Sequence, residues 1–150
     1  MKAIYLCGNG IKSIWKEDNL YINQGVDTRG GGIFIQNKHN VIIRDSLFML
    51  NNVTKDGGGI YLYDCHSVKV YSCFFLLNFS KWGGGIYLEK CTDVAIFDNY
   101  FVANYAKRDG GGISLSRCRS VNAYSNMFFG NIALRSWNNI DVHNCECIKL

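Results

Sequence analysis

Gly57-Gly58-Gly59-Ile60-Tyr61-Leu62-Tyr63 is answered 26 residues later by Gly83-Gly84-Gly85-Ile86-Tyr87-Leu88-Glu89. The tetrapeptide Gly-Gly-Gly-Ile also opens at Gly30 and Gly110, so it recurs at intervals of 27, 26 and 27 residues. A second motif keeps the same register: Phe48-Met49-Leu50-Asn51, Phe75-Leu76-Leu77-Asn78, Phe101-Val102-Ala103-Asn104 and Phe128-Phe129-Gly130-Asn131. Self-similarity at a fixed period of this length describes a stack of like units, each burying its apolar face on the next.

With the Ile of each repeat as position zero (Ile33, Ile60, Ile86, Ile113 and, by extension, Ile140), the apolar positions fall in pairs. Two residues on stand Ile35, Leu62, Leu88, Leu115 and Val142. Eight and ten on stand Val41/Ile43, Val68/Val70, Val94/Ile96, Val121/Ala123 and Ile148/Leu150. Thirteen and fifteen on stand Ser46/Phe48, Cys73/Phe75, Asn99/Phe101 and Asn126/Phe128. Spacings of two are strand spacings; a helix would show three and four. The expected fold is therefore all-β, a parallel β-solenoid with three short strands per rung and about 5–6 rungs of 26–27 residues. Parallel crossovers are overwhelmingly right-handed, which sets the hand of the coil. The rung boundaries read as an irregular first rung 1–29, regular rungs 30–56, 57–82, 83–109 and 110–136, and an incomplete last rung 137–150.

Composition agrees. There is no Pro among 150 residues, as suits ladders in which every N–H is a donor. The 48% hydrophobic content is ample for a buried interior. Net charge is only +4 and the basic residues are scattered, so nucleic-acid binding by bulk electrostatics is not expected. No stretch approaches the ~20 apolar residues of a membrane span. The N-terminus from Met1 to Gly8 does not read as a signal peptide.

The repeated columns have structural readings. Phe over Phe fills the interior and stacks rings. The Asn column forms a polar ladder at a corner, and the glycines permit positive φ and close approach. At the start, Ile4 and Leu6 mimic the first strand, and Leu20-Tyr21-Ile22-Asn23 mimics the Phe-x-x-Asn corner. The absence of a capping helix points to a segment of a longer solenoid or to end-to-end stacking. Cys65, Cys91, Cys118 and Cys145 share one column, where parallel stacking gives poor disulfide geometry, so buried reduced thiols are expected. Cys145, Cys147 and His143 suggest a metal cluster, but strand alternation turns Cys145 inward and His143 outward, so no metal and no cofactor is expected.

Gly-Gly-x-Ile alternating with Phe-x-x-Asn at this period resembles the repeats of polymorphic outer membrane proteins and related adhesin-like surface proteins, within the broad pectin-lyase-like group of right-handed β-helices. The resemblance covers residues 30–142 strongly and 4–29 weakly. It implies a passenger or stalk displayed outside the cell or at its surface. It does not imply an activity, because the same coil hosts lyases, hydrolases and adhesins.

Candidate sites follow from the outward positions. On the first strand, Phe34, Tyr61 and Tyr87, with Tyr63 and Glu89, form an aromatic stripe able to stack on sugar rings; cross-strand pairing that only stabilises the sheet is the plainer reading. Asp56 and Asp109 precede Gly triplets two rungs apart, roughly 9.6 Å along the axis, which makes them weak catalytic candidates. Trp82 separates them, and no convergent carboxylate cluster emerges. The third strand turns out Phe74, Leu76, Tyr100, Met127 and Phe129, an apolar exterior suited to a partner protein or to self-association. The leading expectation is a structural or adhesive solenoid; a polysaccharide-binding or polysaccharide-degrading coil comes second, and an end-to-end filament unit third.

Overall fold

A computed structural model describes residues 29–150 and, before them, the four short strands Ile4–Leu6, Ile14–Lys16, Leu20–Ile22 and Gly25–Val26. The expected stretch around Met1, Cys7 and Asn23 lies outside the described residues. The strands fall into four parallel sheets that wrap one interior. Sheet 1 contains Ile4–Leu6, Ile33–Gln36, Ile60–Tyr63, Ile86–Glu89, Ile113–Ser116 and Ile140–His143. Sheet 2 contains Ile14–Lys16, His39–Arg44, His66–Tyr71, Thr92–Phe97, Arg119–Tyr124 and Glu146–Lys149. Sheet 3 contains Leu20–Ile22, Leu47–Met49, Phe74–Leu76, Tyr100–Val102 and Met127–Phe129. Among the described residues no helix is long and apolar enough to cross a membrane.

Register follows the repeat. Ile33, Ile60, Ile86, Ile113 and Ile140 pair in succession, as do Phe48, Phe75, Phe101 and Phe128. In the irregular first rung Ile4 pairs with Ile33 as the motif has it, but Tyr21, not Leu20, pairs with Phe48, so the Phe-x-x-Asn mimicry is out of register by one residue. The interior is the set of inward positions: Ile33, Ile35, Leu62, Val70, Ile96 and Leu115 are all fully buried. The Phe rings stack at 4.9, 4.7 and 4.9 Å between centroids, which is the strand spacing imposed on side chains.

The expected three strands per rung are joined by a fourth. Sheet 4 consists of Gly25–Val26, Asn52–Val53, Phe79–Ser80, Tyr105–Ala106 and Ile132–Ala133. Each two-residue strand has one inward position, and Val53, Ser80 and Ala106 there are buried. A single inward residue that changes from Val to Ser to Ala gives no period of two, so the pattern could not announce it.

Corners are built from single left-handed residues at fixed columns. Asn37, Asp64, Lys90, Arg117 and Asn144 form one such column, with φ between 51 and 56°. Leu50, Leu77, Ala103 and Gly130 form another, with φ between 50 and 59°. One residue of this conformation bends the chain while its neighbours stay extended. Gly57 supplies the corner before sheet 1 at φ 68°, and a Cβ on the next residue, Gly58, would collide with the carbonyl oxygen of Gly84 one rung on.

Two asparagine ladders brace the corners. Asn51, Asn78 and Asn104 each donate from Nδ2 to the Oδ1 of the Asn one rung on, at 2.8, 2.9 and 3.0 Å. The same oxygens accept the backbone N–H of the preceding Asn at 3.2, 3.1 and 3.0 Å. Asn99 and Asn126 begin a second ladder at the sheet 2 to sheet 3 corner, where Nδ2 of Asn99 donates to Oδ1 of Asn126 at 3.0 Å. Cys65, Cys91 and Cys118 stand in the other corner as buried free thiols, each with Sγ 3.5 Å from the carbonyl two residues before it.

Candidate functional site

The outward face of sheet 1 is not an open surface. The segment between sheet 4 and each Gly triplet rises beside it as a wall, with Asp56 bridged to Trp82 and Asp109 to Ser136 by backbone pairing. The opposite wall begins where the sheet 1 strands end, at Gln36, Tyr63, Glu89 and Ser116, and continues into the left-handed residues Lys90 and Arg117. Between the walls runs a trough along the solenoid axis, with two cavities of about 440 and 410 Å³.

Arg29, Phe34, Gln36, Tyr61, Tyr63, Glu89, Lys90 and Arg117 line the first cavity. Its polar groups are knitted together: Tyr61 Oη donates to Glu89 Oε2 at 2.8 Å, Arg117 Nη2 to Glu89 Oε1 at 2.6 Å, and Lys90 Nζ to Tyr63 Oη at 2.7 Å. Three cations against one carboxylate leave this end basic. The aromatic stripe exists as a stack, with Phe34–Tyr61 at 5.2 Å and Tyr61–Tyr87 at 5.3 Å. Its rings are not open platforms, however. Tyr61 is only 1% exposed, with Arg29 over its ring, and Tyr87 is buried too. Burial, followed by the Glu89 carboxylate, raises the Tyr61 phenol; burial pushes that of Tyr87 up to about 12. Phe34 and Tyr63 remain half-buried and reach the cavity.

The second cavity lies further along the axis and gathers residues from four rungs. Trp82 comes from one, Tyr87 and Asp109 from the next, Ser114, Ser116, Arg135 and Ser136 from the third, and Trp137, Asp141 and His143 from the last. Asp109 accepts from Ser136 Oγ at 2.8 Å and has Arg135 Nη1 at 4.0 Å. Asp141 accepts from Ser114 Oγ at 3.1 Å; burial raises its carboxyl, the Ser114 bond opposes this, and the nearby Asp109 charge adds to it. Trp82 is clasped by Lys81 at 4.2 Å and Arg108 at 5.0 Å, and Trp137 is 69% exposed.

The two carboxylates singled out from the sequence are not brought together. Asp109 lines the second cavity, while Asp56 is buried with Oδ2 3.4 Å from Arg29 Nε and Oδ1 lacking a hydrogen-bond partner. Burial raises the Asp56 carboxyl, against the pull of Arg29. The neighbour that Asp109 does face is Asp141, seen in the sequence only as an outward position. Trp82, Trp137, Arg117 and Arg135 were likewise not singled out as site residues. The signals available for them differ: Trp82 and Arg117 stand in columns whose residue type changes at every rung, Trp137 replaces the glycine of the four rungs before it, and Arg135 continues a basic column with Lys55, Lys81 and Arg108.

The apolar exterior sits on sheet 3. Leu47, Phe74, Tyr100 and Met127 form one outward column, Met49, Leu76, Val102 and Phe129 a second, and Leu50, Leu77, Ala103 and Gly130 the corner beside them. Phe74 and Phe129 are about half exposed, at 50% and 51%. No position in these three columns is charged. At the C-terminal edge Cys147 is exposed and Cys145 half-buried, and among the described residues no three His, Cys, Asp or Glu are placed to hold a metal ion.

Comparison with known families gives one match: the right-handed β-helix region, over residues 3–147. The chain belongs to this family. No curated protein and no solved structure matches it. In this β-helix the trough therefore has to be read from its own residues.

Proposed function

We propose that this β-helix is a rigid binding scaffold that holds an extended carbohydrate in the trough over sheet 1. The observation that carries the reading is the pair of cavities on one face, supplied by successive rungs and bordered by Phe34, Tyr63, Trp82 and Trp137. Rungs repeat at about 4.8 Å, close to the length of one sugar unit, so a polymer lying along the axis meets a new set of side chains at each unit. Aromatic edges supply apolar contact, and the arginines, serines and carboxylates supply directed hydrogen bonds to hydroxyls. Among the described residues four continuous sheets tie each rung to the next, so recognition is by preorganised groups and the scaffold's role is display. The family resemblance supports a place outside the cell or on its surface for such a scaffold.

A glycan and polysaccharide binding screen tests this, with Trp137→Ala and Arg117→Ala as variants. Both residues are exposed, so the fold survives their loss. The expected result is binding by the wild type that falls at least tenfold in each variant. Binding that neither substitution affects would place the ligand elsewhere.

A second reading, glycoside hydrolysis, rests on Asp109 and Asp141. Cleavage of a glycosidic bond needs one protonated and one ionised carboxyl across the scissile bond. Asp141, raised by burial, fits the acid, and Asp109, which accepts from Ser136 Oγ beside Arg135, is the second carboxylate of the cavity. Release of reducing ends that is abolished by Asp141→Asn supports hydrolysis; binding with no release leaves the scaffold reading.

A further inference from the structure

We propose that the exterior of sheet 3 is a homotypic interface, on which two copies of this chain pack face to face about a twofold axis. This does not depend on the trough, which lies on another face of the solenoid.

Three observations select a second copy as the occupant. The first is charge. Twelve outward and corner positions over four rungs contain no Lys, Arg, Asp or Glu, in a chain that is 19% charged. A nucleic acid, an anionic lipid surface or an acidic peptide finds no counter-charge there, whereas an uncharged face is complementary to itself under twofold symmetry. The second is extent. Phe74, Leu77, Tyr100 and Phe129 are each 38–51% exposed. With Met127 and Leu50, at roughly 80–100 Å² apiece, they present about 500–600 Å² of apolar surface, at the top of the range for the largest patch of a monomer, and the half-buried Leu47, Met49, Leu76 and Val102 extend it toward the ~800 Å² that each partner contributes to a standard interface.

The third is pitch. The side-chain ridges repeat at the rung spacing: Phe74 and Tyr100 stack at 4.7 Å. A second copy brings ridges of the same pitch, so its side chains fall into the grooves of the first at every rung. A globular partner has no such repeat. The corner leucines agree with this. Leu50 and Leu77 are held at φ 56 and 53° and are 45% and 48% exposed, so neither local backbone preference nor water favours leucine at these positions. Contact with a facing apolar surface does favour it.

The test is sedimentation equilibrium from 1 to about 100 μM protein on the wild type, on Phe74→Asp/Phe129→Asp, and on Leu50→Asn/Leu77→Asn. The second variant suits left-handed φ and keeps the fold even if the first does not. Thermal unfolding by circular dichroism checks both. The expected result is a dimer of the wild type and at least a hundredfold rise in dissociation constant for each folded variant. A monomeric wild type across this range overturns the proposal, as does a dimer that persists in both variants. Monomers that float with vesicles of phosphatidylcholine also overturn it, since the face would then seat in a neutral membrane.

Discussion

Replacing Asn104 by Ala removes four hydrogen bonds from the middle of the stack. Its Nδ2 donates to the Phe75 carbonyl at 2.8 Å and to Asn131 Oδ1 at 3.0 Å, and its Oδ1 accepts from the Asn78 backbone N–H at 3.1 Å and from Asn78 Nδ2 at 2.9 Å. The site is fully buried, so water cannot replace the lost groups. Asn131 Oδ1 keeps the Asn104 N–H, and Asn78 Nδ2 keeps the Phe48 carbonyl at 2.9 Å. Two donors are orphaned: the Asn78 N–H and the second proton of its amide. At about 1–3 kcal/mol for each buried unsatisfied donor, and with the void left by the amide, the loss is about 3–6 kcal/mol. That is a large part of the 5–15 kcal/mol typical of a domain.

Urea unfolding followed by circular dichroism gives the change in stability, with the exposed Asn122→Ala as a control expected to stay within about 0.5 kcal/mol. A stack can open locally at a weakened rung, so amide hydrogen exchange is the sharper readout. The Asn78 amide should exchange more than about a hundredfold faster in the variant. A stability loss below about 1 kcal/mol, or unchanged protection at Asn78, would refute the claim that the ladder holds the corner.

Gly58→Ala puts a Cβ against the Gly84 carbonyl, and a rigid stack cannot yield there, so soluble folded protein should be lost or its melting temperature should fall by more than 10 °C, about 3 kcal/mol or more for a chain of this size. Burial raises the Asp56 carboxyl above its ordinary 3.8, so the folded chain keeps the proton longer than the unfolded one. The stability this gives is complete below the ordinary value and is lost as pH rises through the raised one. Asp56→Asn should therefore gain stability over the wild type as pH goes from 4 to 7, and a constant or shrinking difference in melting temperature counts against it. Site-resolved alkylation of the native protein should modify Cys147 first and Cys145 more slowly, and leave Cys65, Cys73, Cys91 and Cys118 until unfolding; early labelling of Cys91 would show that the column is open.

The interior was legible because stacking forces each column to solve the same problem at every rung. Four phenylalanines must fill one layer and four asparagines must brace one corner, so repetition in the sequence marks the inside of the coil. Sheet 4 was not legible because its one inward residue per rung has no partner at spacing two. The left-handed corners were not legible either, since Asp, Lys, Arg, Ser and Leu all occupy them and the bend is imposed by closure of the rung. The trough fails for the opposite reason. The column Arg29, Asp56, Trp82, Asp109, Ser136 changes at every rung, and Phe34, Tyr61, Tyr87, Ser114, Asp141 turns from aromatic to polar after Tyr87, so a reading that rewards repetition reached the aromatic stripe but not Trp82 or Asp141. In a solenoid the two signals are complementary. A column that repeats is answering to the rungs above and below it, and packing accounts for its residues. Where a column changes chemistry at every rung beside a concave face, stacking places no such demand on it. Under the proposed reading, the variation at Trp82, Asp109 and Asp141 serves an extended ligand lying across the rungs, since such a ligand meets each rung at a different point along its length.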